Sequence, residues 1–228
     1  MLKKNEFGEG ALFTITNYIW WFLLGNIYFA LTNILFIVVL IGTSSEGASS
    51  FNLITLISLL PAGPALVALF SVMGKLVREK DVDITKDFFK AYRQNFFEAL
   101  FYWTIFLVIL SIIYMDVIYF NVNVQFIPIK AIFIILAFIL ISMILYILPI
   151  ISRFYFKRID VLKISFYYTL KKIHITILNW VCLAGLSYIL IKTSSPILLF
   201  FFWSIICFLI MYNEKSILAE IEEKCLST

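Results

Sequence analysis

Few residues in this chain have the types and spacing that catalysis or metal binding requires. The only histidine, His174, stands beside Lys171 and Lys172, whose positive charges oppose a second charge on the imidazole ring. We therefore interpret His174 as an interfacial residue and not as a general base. The three cysteines show no CxxC spacing, so the sequence predicts neither a zinc site nor a disulfide framework.

Motifs for nucleotide, metal or ester chemistry are also absent from the sequence. There is no GxxxxGK[ST] phosphate-binding loop, no HExxH zinc helix and no GxSxG nucleophile turn. We therefore expect no catalytic, cofactor-binding or metal-binding residues, no cofactor and no enzymatic activity.

Long apolar runs dominate the 228 residues and must position the few polar groups. Apolar residues make up 63% of the chain and charged residues 14%, a composition that does not suit one water-excluded core. A helix needs about 20 residues to cross roughly 30 Å of hydrocarbon, and the runs have this length without the alternation of barrel strands. Six spans are predicted, at Phe22–Ile41, Phe51–Met73, Phe96–Tyr119, Pro128–Ile151, Ile175–Ile191 and Pro196–Tyr212. The predicted fold is all-α, a polytopic membrane helical bundle.

Basic residues are concentrated in every second gap between these runs. Sixteen of the eighteen lysines and arginines lie in the N-terminal segment, in the gaps after the second and fourth spans, and in the tail. The other three gaps contain only Lys130 and Lys192. By the positive-inside rule, both termini and both basic gaps face the cytoplasm of a multi-pass cell-membrane protein. The lipid bilayer then accounts for the net charge of +4, and no nucleic-acid partner is expected.

We predict a single integral membrane domain over residues 1–228. Its parts outside the bundle are an N-terminal interfacial segment (1–21), two cytoplasmic amphipathic connections (74–95 and 152–174) and a cytoplasmic tail (213–228). A cleavable signal peptide is the alternative for the N-terminus. The stretch Ala11–Gly42 is apolar with few interruptions, which is longer than the about 7 to 15 residues typical of such a signal.

The two basic connections resemble each other. At one common offset, Asp83 aligns with Asp160, Lys86 with Lys163, Phe89 with Phe166 and Trp103 with Trp180. Each connection leads into an outward-going span, which favours a parallel duplication of a hairpin unit, and convergent composition of two inside loops is the alternative. The candidate surface for a partner or for lipid headgroups consists of Lys86, Lys90 and Arg93 in the first connection and Lys163, Lys171 and Lys172 in the second.

Pro61, Gly63 and Pro64 interrupt the second span and form a candidate hinge or notch. Each proline removes a backbone donor and should kink or break the helix. One interpretation is a hinge, or a polar notch that lines a pathway. The favoured interpretation is a fixed kink, whose freed carbonyls bond to a neighbour such as Asn26 or Asn33.

Carboxylates deep in the spans would indicate ion-coupled transport, because a charged group in lipid is energetically costly and usually has a function there. Glu98 is placed near the start of the third span and Asp116 near its outer end. Since neither position is a span centre, the sequence argues against an ion-coupled pump or symporter.

Small residues in the fifth span form another recognisable pattern. They are Cys182, Ala184, Gly185 and Ser187. Small side chains let helix backbones approach closely in membranes, so these positions are predicted to form a seam for helix contact.

Scattered residues along the chain form a further pattern, which consists of Asn17, Trp20, Gly25, Pro64, Ala68, Leu69, Phe70, Glu79, Asp83, Lys86, Phe89, Tyr92, Asn95, Phe96, Pro149, Arg153 and Phe154. In these residues the chain resembles the YesL family of integral membrane proteins from Gram-positive bacteria, a family of unknown function. The resemblance extends to about residue 190 and is strongest between Pro64 and Phe96. The chain departs from the family pattern at Pro61, which adds a second proline, and at Arg78, where a glycine is usual.

The resemblance implies a role in carbohydrate uptake. Members of the family commonly lie in gene neighbourhoods with binding-protein-dependent ABC importers and glycosidases. The favoured expectation is therefore a non-enzymatic accessory or assembly subunit that contacts an ABC transporter permease or ATPase. An uncoupled facilitator or channel is the alternative, and a membrane enzyme acting on lipid-linked sugars is the least favoured class.

Overall fold

The structure, a computed structural model, describes residues 11–45, 53–79, 82–120, 127–193 and 195–226. In these ranges the helices are joined by short turns and linkers, and there is no strand. The helices are α1 (Ala11–Thr32), α2 (Ile34–Ser45), α3 (Leu53–Ser58), α4 (Ala62–Glu79), α5 (Ile84–Gln94), α6 (Phe96–Tyr119), α7 (Ile127–Arg153), α8 (Arg158–Lys171), α9 (Ile173–Thr193), α10 (Pro196–Leu199) and α11 (Phe202–Leu226). The predicted all-α bundle is confirmed.

Several helices are long and apolar enough to cross a membrane. Within the ranges given above, the candidate spans are Leu53–Glu79, Phe96–Tyr119, Pro128–Arg153, Ile173–Thr193 and Phe202–Cys225. A sixth span results if the bent pair of α1 and α2 is one crossing. The chain is thus a helical membrane protein with up to six spans, as its hydropathy predicts, although the last helix continues well past Tyr212.

The first predicted span, Phe22–Ile41, is not one straight helix. It divides at Asn33 into α1 and α2, whose axes are bent by 69°. The side chain of Asn33 donates to the Phe29 carbonyl at 2.8 Å, and Thr32 Oγ1 donates to the same carbonyl at 2.9 Å. Side chains that bond to the preceding turn in this way compete with the helical ladder and bend it. The predicted interfacial segment 1–21 is part of α1 from Ala11 onward, and its residues 1–10 lie outside the described ranges.

Helix α4 is the centre of the bundle. Every residue from Ala62 to Phe70 is buried, and α4 packs against α1, α5, α6, α7 and α11. Small residues permit this crowding: a Cβ added to Gly74 would meet Met211 Cε of α11 at 2.2 Å. A helix that is apolar on all sides belongs in the interior of such a bundle.

The small residues of α9 form the predicted seam only in part, because Cys182 is half-buried with its Sγ 3.8 Å from Asn213 Nδ2 of α11, whereas Ala184 and Gly185 are exposed. A Cβ added to Gly185 would meet no atom of the described residues within 4 Å. The spacing of the small residues is that of a contact surface, but α9 turns its buried face, with Ile175, Thr176 and Asn179, toward the bundle instead.

Candidate functional site

Helix α5 is seated on the bundle by its apolar face. Ile84, Phe88 and Ala91 on this face are buried. The helix begins after Asp83, whose carboxylate accepts a hydrogen bond from the Lys86 backbone N–H at 3.4 Å and so caps the first turn. Hydrogen bonds from Lys86 lower the pKa of Asp83 below its ordinary value, which keeps the capping group charged.

Two polar contacts tie α5 to neighbouring helices. Lys75 Nζ of α4 lies 2.7 Å from Asp87 Oδ2. The Tyr28 hydroxyl of α1 lies 2.9 Å from Thr85 Oγ1. Because these contacts and the buried face act together, α5 is held in one orientation.

The opposite face of α5 presents the predicted basic residues to the surroundings. Lys86, Lys90 and Arg93 are all exposed. Lys86 Nζ lies 3.2 Å from Asp83 Oδ2, a pair that solvent screens strongly. Lys90 and Arg93 form no ion pair with any carboxylate in the part of the chain that the structure describes.

Helix α8 differs from α5 in having apolar side chains on two faces. Val161, Ser165, Tyr168 and Thr169 are buried against the bundle. Ile159, Leu162, Phe166 and Leu170 point the other way and are exposed. The connection over 152–174 is predicted to be amphipathic, but α8 lacks a single apolar face.

The predicted basic residues of the second connection have three different environments. Lys163 is exposed, Lys172 is half-buried, and Lys171 Nζ lies 3.5 Å from Glu220 Oε1 of α11. A hydrogen bond with Tyr167, together with the charge of Glu220, raises the pKa of Lys171. Helix α5 packs on α1, α4 and α6, whereas α8 packs mainly on α7 and α9 and touches α6 only at its start, so the two basic sets have different neighbours.

A tryptophan side chain packs against the helix break at Pro61 and forms a hydrogen bond there. Trp103 Nε1 of α6 donates to the Leu59 carbonyl at 3.0 Å, and the Ala62 N–H bonds to the same oxygen at 3.1 Å. Pro64 lies in the first turn of α4, where a missing N–H costs little. Gly63 is buried directly against the Trp103 ring. The geometry is that of a packed kink between α3 and α4.

Asn26 and Asn33, which are expected to bond at this break, form their hydrogen bonds at other places. Asn26 joins α1 to the end of α10 and the start of α11, because its Nδ2 donates to the Leu199 carbonyl at 3.2 Å and its Oδ1 accepts from the Ser204 N–H at 3.0 Å. Asn33 bonds within its own helix. The interpretation that Asn26 or Asn33 satisfies the freed carbonyls is therefore wrong. The Ile57 carbonyl accepts from the Leu60 N–H at 3.2 Å, and Trp103 bonds to the neighbouring Leu59 carbonyl.

Glu214 is the polar residue that the sequence analysis missed. The predicted sixth span ends at Tyr212, but α11 continues and carries the fully buried Glu214 into the bundle. Its Oε1 accepts from Asn179 Nδ2 at 2.8 Å, and Asn179 Oδ1 accepts from Asn213 Nδ2 at 2.9 Å. Its Oε2 has no hydrogen-bond partner among the described residues. A carboxyl group therefore does lie inside a candidate span, contrary to the expectation from sequence.

A periodic signal could have revealed this position. Cys207, Ile210, Ile217 and Ile221 are buried on one face of α11, and Glu214 continues their helical spacing. Where the structure describes the chain, no group of three or more His, Cys, Asp or Glu side chains could hold a metal ion. The Glu214 cluster combines one carboxyl group with two amides, which suits hydrogen bonding more than metal ligation.

The proposed repeat is only partly reflected in local geometry. Trp103 and Trp180 each donate a hydrogen bond into the preceding span, to the Leu59 carbonyl and to Ser142 Oγ respectively. Asp83 caps α5, whereas Asp160 lies inside the first turn of α8 after the N-cap Lys157. The duplication remains a prediction.

Comparison with known proteins finds one family model that is similar to part of the chain. Residues 13–117 match the model of the family described as "Protein of unknown function, DUF624". The matched segment runs from α1 to the end of α6 and includes α4, α5 and the break at Pro61. No curated protein and no solved structure matches the chain.

Proposed function

We propose that this YesL-like DUF624 protein is a non-enzymatic accessory or assembly subunit of the cell membrane, and that α5 is its docking surface for a carbohydrate ABC importer. The observation that supports the proposal is that α5 packs on the bundle through one buried apolar face, while the cations on its outer face form no ion pair with any other helix that the structure describes. Lys90 and Arg93 have no carboxylate partner in the described chain, and Lys86 has only its exposed neighbour Asp83.

The fixed orientation of the α5 cations favours a docking role over a role that only sets membrane topology. A basic loop that only sets orientation needs no defined structure, because the positive-inside rule depends on charge count. Here the three cations project from a capped helix held by Ile84, Phe88 and Ala91. Such a preorganised surface loses little conformational entropy when it meets a partner.

The charge of the surface indicates the chemistry of its partner. An acidic patch on the cytoplasmic side of a permease or ATPase subunit would complement Lys86, Lys90 and Arg93. Charge complementarity of this kind sets the association rate and the salt dependence more than the folding of either protein. The identity of the partner as a carbohydrate importer rests on the family resemblance.

Charge reversal tests this proposal. The variant Lys86→Glu/Lys90→Glu/Arg93→Glu, tagged and purified in mild detergent, should lose a transporter subunit that co-purifies with the wild-type protein. The matched control, Lys157→Glu/Arg158→Glu/Lys163→Glu, reverses three exposed cations at and just before the start of α8 and should retain that subunit. Membrane insertion of both variants is checked by protease accessibility, since the same charges help to set topology. Equal loss from both variants, or no transporter subunit with the wild type, would overturn the proposal.

The Glu214 cluster favours a second candidate function, transport of a small solute through the bundle, and its buried carboxyl group favours ion coupling over an uncoupled facilitator. Polar groups inside a membrane bundle commonly mark a solute pathway. Purified protein reconstituted alone in liposomes would then pass a sugar or small ion above the leakage of empty vesicles, and Glu214→Gln would change that flux. Such flux would replace the accessory function with transport.

A further inference from the structure

An open cavity of about 520 Å³ lies where the start of α8 meets the start of α6. Three cationic side chains line it, from Lys157, Arg158 and Lys163. Two carboxylates, Glu98 and Asp160, line it as well. The lining therefore has an excess of positive charge but can also accept hydrogen bonds.

The three cations are available to an anion. None of them forms an ion pair with a carboxylate in the described ranges, although Glu98 and Asp160 share the cavity. The Arg158 guanidinium lies over the Phe101 ring at 4.3 Å, and the Arg158 carbonyl accepts a hydrogen bond from the Tyr102 hydroxyl at 3.1 Å. These contacts hold the start of α8 on α6 and so give the cavity a defined shape.

An apolar stripe continues from the cavity along the outer side of α8. Ile159 lines the cavity and is 66% exposed. Leu162, Phe166 and Leu170 follow it at helical spacing and are also exposed. Since α8 connects two candidate spans, α7 and α9, through four and one intervening residues, it must lie at the membrane surface.

We infer that the cavity and the stripe together bind an anionic glycerophospholipid. Its phosphate lies among Lys157, Arg158 and Lys163, while hydroxyl groups of the headgroup donate to Glu98 and Asp160. An acyl chain covers the apolar stripe of α8. A lipid fits better than free phosphate because the exposed apolar side chains begin inside the cationic cavity itself.

The outer faces of α8 and α5 differ in their chemistry. Side chains that carry charge dominate the outer face of α5, whereas apolar side chains dominate that of α8. A water-exposed stripe of four large apolar residues would be unfavourable, and acyl chains remove it from water. Lipid binding at α8 is independent of the accessory role proposed for α5.

Native mass spectrometry of the purified protein tests the inference. Phosphatidylglycerol is titrated against phosphatidylcholine, with inorganic phosphate as a separate competitor. The wild-type protein should retain phosphatidylglycerol preferentially, and Lys157→Gln/Lys163→Gln should weaken its binding about tenfold or more. Lys86→Gln/Lys90→Gln on α5 removes the same charge and should leave the affinity unchanged. Circular dichroism confirms that each variant stays helical.

A second variant tests the acyl contact. Leu162→Ser/Phe166→Ser keeps all three cations and should also weaken phosphatidylglycerol binding. Equal effects of the α8 and α5 charge variants would mean unspecific attraction and would overturn the inference. Full displacement of the lipid by inorganic phosphate, or undiminished binding to Leu162→Ser/Phe166→Ser, would show a free-phosphate site in place of a lipid site.

Discussion

Replacing Gly63 by alanine should destabilise the bundle at the break in its second span. The added Cβ would lie 2.4 Å from Trp103 Cβ and 2.5 Å from Trp103 Cγ. These atoms are at the base of the ring, which cannot move easily. Trp103 Nε1 is bonded to the Leu59 carbonyl at 3.0 Å, and its ring stacks on Phe106 with centroids 5.2 Å apart.

The magnitude follows from two opposing effects. Inserting a methyl group into a packed interior costs about 1 to 3 kcal/mol. Alanine has a better helix propensity than glycine by up to about 1 kcal/mol, but Gly63 lies in the first turn of α4, where that gain is small. At Gly185, inside α9, an added Cβ meets no atom of the described residues within 4 Å, so only the gain remains. Gly185→Ala is therefore the matched control, and the two variants should differ by roughly 2 to 4 kcal/mol.

Denaturant unfolding in mild detergent, followed by tryptophan fluorescence, measures this difference. Gly63→Ala should unfold at a lower midpoint than the wild type, and Gly185→Ala at an equal or higher midpoint. If Gly63→Ala is as stable as Gly185→Ala, α4 and α6 do not approach as closely as the structure has them. The packed kink would then lose its physical basis, and a mobile hinge at Pro61 would be favoured.

Three further predictions concern polar contacts. Asn26→Ala should lower the free energy of unfolding by about 1 to 3 kcal/mol, because it leaves the Ser204 N–H without its partner. Ser204→Ala removes only the hydroxyl contact and should cost less, so equal costs would contradict the role of the Asn26 side chain as the acceptor for the Ser204 N–H. A double-mutant cycle on Lys75 and Asp87 should give a coupling below about 1 kcal/mol that falls as salt rises, since solvent screens this partly exposed pair. Glu214→Gln keeps the acceptor for Asn179 and should unfold at an equal or higher temperature, whereas Glu214→Lys should fail to accumulate; a strongly destabilised glutamine variant would show that a charged carboxylate is required.

Helix positions were predictable because lipid imposes a simple rule. The third predicted span, Phe96–Tyr119, coincides with α6, and the fourth and fifth agree with α7 and α9 to within a few residues. Length and hydropathy suffice there because every backbone polar group in lipid must be satisfied inside a helix. The sequence also predicts which face of α5 packs against the bundle, because the apolar residues of α5 follow one helical face.

The errors arose where side-chain partners decide the structure. The bend at Asn33 depends on hydrogen bonds to the preceding turn, which an apolar run does not reveal. The partner at the proline break is Trp103, which is distant in sequence. Glu214 was placed in a tail because hydropathy falls after Tyr212, although the helical period continues through it. Hydropathy measures average solvent preference, so it cannot show that one carboxyl group is buried among amides.

The candidate sites were predictable only in part. Charge counting located Lys86, Lys90 and Arg93, and all three are exposed on α5. It grouped Lys163 and Lys171 in the same way, but Lys171 pairs with Glu220 of α11, a contact between segments far apart in sequence. The cavity at the start of α8 depends equally on α6, so no local pattern could predict it.

Both basic connections, and therefore α5 and α8, are predicted to face the cytoplasm. Single cysteines are introduced at Lys90, Lys163, Ser45 or Ser194 in a background without native thiols, and a membrane-impermeant maleimide is applied to intact and lysed cells. We predict that Ser45→Cys and Ser194→Cys are labelled in intact cells, whereas Lys90→Cys and Lys163→Cys are labelled only after lysis. Labelling of Lys90→Cys or Lys163→Cys before lysis would contradict the topology on which the docking surface and the lipid site depend.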